Sequence, residues 1–263
     1  MRTSPVVQVL IRLWVALVLV FLFVPIIIVL VYAFNSSNVQ SWPIAGFSTK
    51  WFSLAWHDQE VRTALWLSVK AGVVATAIAL VLGSLAAFGV HKFRFFGRET
   101  ISFMLVLPLA LPGIITGIAL NSAFRFAGIG LSLTTIIIGH ATFCVVVVYN
   151  NVIARMRQVS GSLIEASMDL GATPFQTFCR ITLPTLSTAL VSAGLLAFAL
   201  SFDEIIVTTF TAGAQNTLPL WIFGAIRLGQ RLPEVNVVIF VVLLVTIIPV
   251  TASSRLMSRA GIR

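Results

Sequence analysis

The chain has 263 residues, of which 59% are hydrophobic and only 10% are charged. A typical soluble domain has roughly 25% charged residues, and a soluble fold of this size could not cover so much apolar surface. The composition, with a mean hydropathy of +1.05, excludes a soluble enzyme, a disordered protein and a secreted disulfide scaffold, and it predicts a polytopic membrane protein.

Six apolar runs are long enough to cross a bilayer, whose core needs about 20 helical residues. The runs are continuous rather than alternating, which favours helices over an outer-membrane barrel. The first run is longer than the core of a signal peptide, so we expect it to be retained. The predicted spans are 13–34, 63–90, 101–124, 130–153, 184–202 and 235–254.

The net charge of +9 is best interpreted through topology, because basic residues accumulate in cytoplasmic loops. With both termini in the cytoplasm, eleven of the 17 Lys and Arg residues lie on the cytoplasmic side, and the opposite orientation reverses that ratio. These eleven are Arg2, Arg12, Lys92, Arg94, Arg98, Arg155, Arg157, Arg180, Arg255, Arg259 and Arg263. The sequence therefore predicts six transmembrane helices with both ends inside.

Two outer segments carry weaker signals. Segment 35–62 and the start of the second span are rich in aromatic residues typical of an interfacial belt: Trp42, Trp51, Phe52, Trp56 and Trp66. In segment 212–234, Thr217 and Pro219 suit a helix start. The apolar stretch 220–228 is short for a span, and it fits either a half-buried, re-entrant helix near the outer mouth or a plain surface helix.

The cytoplasmic loop 154–182 is specified in most detail. Ser162 and Glu165 have the spacing of a capping box, and Gly171 suits the position just past a helix end. Thr173 and Gln176 form a second such box, with Pro174 at the first helical position. These signals predict two short helices joined by a glycine hinge, which either dock a cytoplasmic partner or form a packed cap.

The same loop resembles the EAA loop of ABC importer permeases. Glu165-Ala166-Ser167, then Gly171, then Ile181-Thr182-Leu183-Pro184 keep the spacing of that motif, with Ser167 where the family commonly has Ala. Further resemblances lie at 32–35, where the first helix ends, and at 107–117. Ser201-Phe202-Asp203-Glu204 followed by Thr217-Leu218-Pro219 resembles the polyamine (spermidine/putrescine) subgroup, in particular its second permease subunit.

The resemblance implies an all-α, type I ABC importer permease: a single transmembrane domain over 1–263, core helices 2–6 over about 63–253, and a cytoplasmic coupling loop at 154–182. In such permeases the part corresponding to 161–178 couples to a separate ATPase. The coupling residues carried over are Glu165, Ala166, Ser167, Asp169, Gly171, Ala172 and Pro174. For Glu165, a role limited to capping its own helix is an alternative, and the two roles are compatible.

The resemblance also implies the surroundings of the chain. We expect a multi-pass protein of the bacterial inner membrane, in lipid, with a cytoplasmic ATPase dimer, a second permease from a different chain and an extracytoplasmic substrate-binding protein. The chain has no phosphate-binding Gly-x4-Gly-Lys-Ser/Thr loop, so we expect no enzyme activity and no cofactor of its own, with ATP and Mg on the partner ATPase. No Cys/His spacing predicts a metal site, and no nucleic-acid partner is expected.

Asp203 and Glu204 are the predicted residues of the substrate pathway. An unpaired charge deep in a bilayer costs roughly 2.5–3.5 kcal/mol, so such acids usually face a cavity or a partner. On a continuous helix the two side chains lie about 100° apart, and the subgroup resemblance favours Asp203. The alternatives are a structural pair with Lys70, which otherwise snorkels outward, and exposure at the interface.

The expected substrate is putrescine, spermidine or a related small amine. Alternatives are an ABC permease for another substrate such as 4-aminobutyrate, and a secondary transporter driven by an ion gradient. A membrane-embedded enzyme is disfavoured, since no Ser/His/Asp or Glu-x-x-His arrangement lies at one membrane depth. We expect His140 to be a hydrogen-bonded interior residue, with a proton relay as the less favoured interpretation.

Overall fold

A computed structural model describes residues 4–93 and 95–259, with side chains up to residue 247. Within these ranges the fold is all-helical, and an isolated antiparallel bridge pairs Asn35 with Phe47. Arg2, Arg94 and Arg263, which the topology argument uses, lie outside the described residues. The helices are α1 (Pro5–Tyr32), α2 (Lys50–His57), α3 (Gln59–Lys92), α4 (Arg98–Ala110), α5 (Gly113–Phe126), α6 (Leu133–Met156), α7 (Gly161–Asp169), α8 (Pro174–Thr177), α9 (Leu183–Phe202), α10 (Ile206–Thr211), α11 (Leu218–Leu228) and α12 (Leu232–Arg259).

Most of the predicted spans correspond to long apolar helices. In the described ranges, α1, α3, α6 and the segment Pro174–Asp203 have the length and composition to cross a membrane. That last segment is 30 residues long and contains α8, a π-turn at Phe178–Thr182 and α9. A fifth span is present if α4 and α5 together form one. Helix α12 has 28 residues, and its part Leu232–Ile247 is apolar.

The predicted third span over 101–124, an apolar run that Pro108 and Pro112 interrupt, is not one continuous helix. The chain forms α4 and α5 there, and they meet at an angle of 104°. Leu111 ends α4 in an extended conformation (φ −81°, ψ 140°) and Pro112 precedes α5. A proline has no N–H to donate and disfavours a helical conformation in the residue before it, so the Leu111–Pro112 step breaks the helix. Helix α4 packs on α6, whereas α5 packs on α10.

The described residues divide into two compact units, and the larger comprises Thr63–Trp221 with residues 252–259. Its centre is α6, which is buried along most of its length and packs on α9. Small residues allow close helix contacts. A Cβ atom at Gly83 of α3 would lie 2.8 Å from the Cβ of Val148, and one at Gly194 of α9 would lie 3.3 Å from Leu80. The core of this unit is therefore a tight helix-on-helix contact.

The other unit comprises residues 4–62 together with Ile222–Thr251. Helix α1 has no buried residue, as expected of a helix whose apolar side chains face lipid. The expectation of an interfacial belt is partly wrong here. Trp51 is buried and its Nε1–H donates to the Asn35 carbonyl at 2.7 Å, and Phe52 packs between Phe34 and Phe240. Trp42 and Trp56 are exposed, and so is Trp66 in the larger unit.

A charged cluster in the same smaller unit joins the start of α3 to the start of α12. Asp58 Oδ1 accepts the backbone N–H groups of Glu60 at 2.7 Å and Val61 at 3.3 Å, so Asp58 caps α3. Its Oδ2 pairs with Arg231 at 2.8 Å, and Arg231 also pairs with Glu60 at 2.8 Å. Arg231 has a left-handed backbone, with φ 56°.

Helix α11 begins where Thr217 and Pro219 predict. The Trp221 N–H donates to the Thr217 carbonyl at 2.8 Å, which closes the first helical turn. Leu218, Pro219 and Trp221 are buried, and the Leu218 N–H donates to the Ser68 hydroxyl at 2.8 Å. The first turn of α11 is therefore anchored inside the larger unit, which favours the half-buried interpretation of this segment over a plain surface helix.

Candidate functional site

The predicted hinge between α7 and α8 is present at Gly171. Gly171 has φ +83°, a left-handed conformation that favours glycine. Its N–H donates to the Met168 carbonyl at 2.9 Å, and the Ala172 N–H donates to the Ser167 carbonyl at 3.1 Å. This pair of bonds is a Schellman motif, which satisfies the last carbonyl groups of α7 and turns the chain toward α8.

One of the two predicted capping boxes is present. The Thr173 hydroxyl accepts the Gln176 N–H at 3.3 Å, and the Gln176 side chain accepts the Thr173 N–H at 2.9 Å, with Pro174 as the first helical residue. The box predicted at Ser162 and Glu165 is wrong. Helix α7 starts at Gly161 with Ser160 in the extended cap position, so Ser162 already lies inside the helix.

Most of the predicted coupling residues are accessible. Glu165, Ala166, Asp169, Gly171 and Pro174 are exposed, and Ala172 is half-buried. The exception is Ser167, which is buried and whose hydroxyl lies 2.9 Å from that of Thr177. Ser167 therefore joins the two short helices and presents no side chain to a partner.

Two large apolar side chains of the loop, Leu170 and Phe175, lie at the surface. Leu170 is 89% exposed and Phe175 75% exposed, whereas Phe178 packs on Phe88 with ring centroids 5.3 Å apart. Leu163 is also exposed, and we refer to Leu163, Leu170 and Phe175, three of the large apolar side chains that these two short helices and their turn leave exposed, as the apolar patch of the loop. In the sequence, the signal for such a patch is a set of large apolar residues close to a turn. Which of them face outward depends on where the helices begin and end.

Asp203 and Glu204 lie in a break between two helices. Helix α9 ends at Phe202, Asp203 caps it, and α10 starts at Ile206. The expected 100° separation on one helix therefore does not apply. Asp203 is exposed, whereas Glu204 is half-buried and its Oε1 accepts the Val207 N–H at 2.8 Å, which caps α10.

The alternative pairing of these acids with Lys70 is not what the structure describes. Lys70 is exposed and its Nζ lies 5.3 Å from the centroid of the Trp66 ring. The ion pairs within the described residues both involve Arg231. Asp203 is thus an exposed carboxylate at the end of a long apolar helix, and Glu204 is held by the backbone of α10.

His140 is a hydrogen-bonded interior residue, as predicted. It is 1% exposed, its Nδ1 lies 2.7 Å from the Ser201 hydroxyl and its Nε2 lies 2.8 Å from the Thr208 hydroxyl. Ser201 lies in the last turn of α9 and Thr208 in α10. His140 therefore bonds to both sides of the break that carries Asp203 and Glu204, a role that sequence reasoning missed.

Two other side chains anchor α10 from neighbouring helices. The Asn121 amide of α5 donates to the Phe210 carbonyl, and the Thr135 hydroxyl of α6 lies 2.7 Å from the Thr211 carbonyl. Gly117 of α5 lies against the Phe210 ring. The short helix after the break is therefore fixed at its end as well as at its start.

Comparison with known proteins places these features in a family. Residues 79–260 match the sequence profile of the binding-protein-dependent transport system inner membrane component. The chain is 37% identical over 225 residues to the putrescine transport system permease protein PotI of Escherichia coli K12, covering 82% of this chain and 79% of that protein. It is 34% identical over 235 residues to the spermidine/putrescine transport system permease protein PotC of the same organism, covering 89% and 88%.

Solved structures show the same fold at low sequence identity. A chain of a bacterial ABC transporter that imports the acidic polysaccharide alginate superimposes with a TM-score of 0.73 at 17% identity, covering 98% of this chain and 99% of that one. A chain of the MetNI methionine ABC transporter superimposes with a TM-score of 0.64 at 19% identity, covering 80% and 99%. The profile match and the relatives together show that the chain is a member of the family of inner membrane components of binding-protein-dependent transport systems, and is homologous to polyamine ABC permease subunits.

Proposed function

We propose that this chain is one of two different permease subunits of an ABC importer for putrescine, spermidine or a related small amine. The observation that carries the proposal is the position of Asp203, an exposed carboxylate at the helix break, in a chain 34–37% identical to permeases of putrescine and spermidine/putrescine systems. A polyamine carries several ammonium groups, and a carboxylate on its path offsets the hydration that each group loses.

In this proposal, Asp203 contacts the substrate and Glu204 does not. The Asp203 side chain is exposed, whereas the Glu204 carboxylate already accepts the Val207 N–H at the start of α10. Glu204 therefore holds the backbone of the break in shape. This division of roles between neighbouring acids makes them a matched pair for mutagenesis.

The proposed topology has six spans with both termini in the cytoplasm. Four described helical segments, or five with the bent pair, have the length and composition to span a membrane, and α12 supplies the remaining span. The eleven basic residues on the cytoplasmic side support this orientation. The membrane is the inner membrane of a bacterium, as in the relatives from Escherichia coli.

The loop 161–178 is proposed to dock on a cytoplasmic ATPase dimer, which binds and hydrolyses ATP with Mg. The exposed Glu165, Asp169 and the apolar patch around Leu170 and Phe175 supply the contact, and Gly171 sets the angle between α7 and α8. An exposed apolar patch of this kind is typical of a protein–protein contact. An extracytoplasmic binding protein delivers the substrate on the other side.

Uptake into proteoliposomes tests the substrate and the role of Asp203. The chain is reconstituted with the proposed ATPase, second permease and binding protein, and uptake of labelled putrescine and spermidine is measured with ATP inside. We expect Asp203→Asn to lower uptake by about tenfold, the effect of losing one charge-assisted contact. Glu204→Gln keeps an oxygen for the Val207 N–H and should lower uptake by less than about threefold.

The outcomes separate the alternatives. Unchanged uptake in Asp203→Asn removes Asp203 from the substrate path. No polyamine uptake, with ATP hydrolysis still stimulated by a loaded binding protein, overturns the polyamine proposal and directs the search to 4-aminobutyrate and other small amines. Uptake that persists without the ATPase overturns the ABC mechanism in favour of an ion-driven transporter.

Copurification tests the docking patch. Phe175→Ser should lower the amount of ATPase that copurifies with the permease by about fivefold or more, because a buried aromatic anchor contributes much of the binding energy at such contacts. Phe96→Ser is the matched control, since Phe96 is a fully exposed phenylalanine in the loop between α3 and α4, on the same proposed cytoplasmic side. Equal ATPase recovery in both variants would remove the patch from the interface.

A further inference from the structure

The backbone at the 203–205 break leaves a group of carbonyl oxygens without donors. The last backbone bond of α9 runs from the Asp203 N–H to the Ala199 carbonyl at 3.1 Å. Within the described part of the chain, no N–H or side chain donates to the carbonyl oxygens of Leu200, Ser201, Phe202 and Asp203. These oxygens lie at the C-terminal end of a 20-residue helix, where the helix dipole places partial negative charge.

Three side chains bridge this break by hydrogen bonds. His140 of α6 contacts Ser201 on the near side at 2.7 Å and Thr208 on the far side at 2.8 Å. The Thr208 hydroxyl also lies 2.7 Å from the Glu204 carbonyl. All three side chains are buried, so water does not compete for these bonds.

The hydrogen positions in this chain of bonds follow from the number of donors. The Glu204 carbonyl accepts only, so the Thr208 hydroxyl donates its one proton there. The Thr208 oxygen must then accept from His140 Nε2–H. In a neutral imidazole the other nitrogen accepts, so Nδ1 takes the proton of the Ser201 hydroxyl. Hydrogen-bond donation therefore runs from Ser201 to His140, from His140 to Thr208 and from Thr208 to the Glu204 carbonyl. Every donor in this chain of bonds has an acceptor.

We propose that His140 is a positioning residue that holds the 203–205 break open, so that the Asp203 carboxylate and the free carbonyl oxygens of Leu200, Phe202 and Asp203 form one acceptor surface for a primary ammonium group. The inference rests on the proposed function in placing that surface on the substrate path. An ammonium group has three donors and no acceptor, and it is matched by an array of carbonyl and carboxylate oxygens. Without the His140 bonds, the segment can relax toward a continuous helix that uses those carbonyls internally.

Thiol accessibility at position 203 tests the positioning role without relying on transport. Asp203→Cys is made in a Cys179→Ser background, because Cys179 is exposed and Cys144 is buried. The assembled importer is labelled with a small charged methanethiosulfonate, and the rate is compared with and without His140→Leu. We expect the rate to change by about fivefold or more, as when the loss of one or two hydrogen bonds shifts a local opening equilibrium.

Neighbouring substitutions serve as controls and as a rescue. Thr209→Val removes a hydroxyl that donates to the Ile205 carbonyl at 2.8 Å in the same short helix without touching His140, and it should leave the rate within about twofold. His140→Gln keeps a donor near the Nε2 position and should restore most of the wild-type rate. Ser201→Ala removes one bond of the chain and should give an intermediate rate.

The result that overturns the proposal is a labelling rate within about twofold of wild type in a folded His140→Leu importer, or an equal change in Thr209→Val. If His140→Leu fails to assemble, the same criterion is applied to Ser201→Ala. A changed rate together with an absence of polyamine uptake in the unmodified importer would leave the positioning role intact and contradict only the proposed substrate.

Discussion

The hydroxyl groups of Ser167 and Thr177 lie 2.9 Å apart and join α7 to α8 on the buried side of the loop. Ser167 belongs to the motif Glu165-Ala166-Ser167, in which the family commonly has alanine. The pairing gives this serine a physical reason, because a hydroxyl partner at Thr177 compensates the polar group that the substitution introduces. The two positions are therefore expected to depend on each other.

A single and a double substitution test that dependence. Ser167→Ala leaves the Thr177 hydroxyl buried without its partner, which should destabilise the loop by about 1–3 kcal/mol. The double variant Ser167→Ala with Thr177→Val removes both polar groups and should recover most of the loss. Amide hydrogen exchange over 161–177 in the assembled importer measures this, and equal protection in Ser167→Ala and wild type would contradict it.

Gly171 should be sensitive to any side chain for a backbone reason alone. A Cβ atom there would meet nothing within 4 Å, but the φ of +83° costs a residue with a side chain about 1–2 kcal/mol. We expect Gly171→Ala to insert normally, to loosen the α7–α8 turn and to lower substrate transported per ATP hydrolysed. Substrate uptake and ATP hydrolysis are both measured in proteoliposomes, and their ratio gives the coupling.

Gly161 provides the matched control for Gly171. It lies in the same loop, a Cβ atom there also meets nothing within 4 Å, and it is the first residue of α7. Gly161→Ala should therefore be neutral or slightly stabilising. A similar loss of coupling in both alanine variants would argue against the hinge. It would indicate instead that the loop tolerates no side chain at either glycine.

Gly83 and Gly89 of α3 should respond in opposite directions to the same substitution. A Cβ atom at Gly83 would lie 2.8 Å from the Val145 carbonyl oxygen and from Val148, whereas one at Gly89 meets nothing within 4 Å. Gly83→Ala should destabilise the protein by about 1–3 kcal/mol through overpacking, and Gly89→Ala should stabilise it by about 0.5–1 kcal/mol. Thermal unfolding in detergent measures both, and equal midpoints would refute the close approach of α3 and α6.

The stability of the charged cluster should depend more on the ion pair between Asp58 and Arg231 than on the pair between Glu60 and Arg231. Asp58→Asn keeps the cap on α3 but loses the pair, and we expect a cost of about 1 kcal/mol, limited because Arg231 is partly exposed and water screens the pair. Glu60→Gln should cost less than about 0.5 kcal/mol, since its side chain is 70% exposed. Thermal unfolding at low and high salt checks this: salt should lower the midpoint of the wild type but hardly that of Asp58→Asn.

The sequence predicted most of the long helices and part of the turn chemistry of the loop, because these depend on local signals. Apolar runs located the long helices, and Gly171 and the Thr173–Gln176 box were placed correctly since each is decided within one helical turn. The capping box at Ser162 was misplaced because Ser160, two residues earlier, can cap a helix in the same way. Which of the two serines caps α7 depends on where the preceding turn ends.

Features that depend on contacts between distant segments could not be predicted. The role of His140 requires Ser201 and Thr208, more than 60 residues away along the chain, and nothing local to His140 identifies them. The burial of Trp51 depends likewise on the Asn35 carbonyl. Pro108 and Pro112 indicated an interruption of the apolar run 101–124. Only the structure shows that the helix continues through Pro108, breaks at Leu111–Pro112 and bends there by 104°.

The segment Pro174–Asp203 has a mechanical consequence. It runs as one helical rod of 30 residues, so its ends are about 45 Å apart, with the exposed Phe175 at one end and Asp203 at the other. For a rod pivoting near one end, a tilt of about 10° moves the far end by about 8 Å. A small angular change at the loop is thereby converted into a displacement larger than an ammonium group, without any relay of side-chain contacts between the two ends.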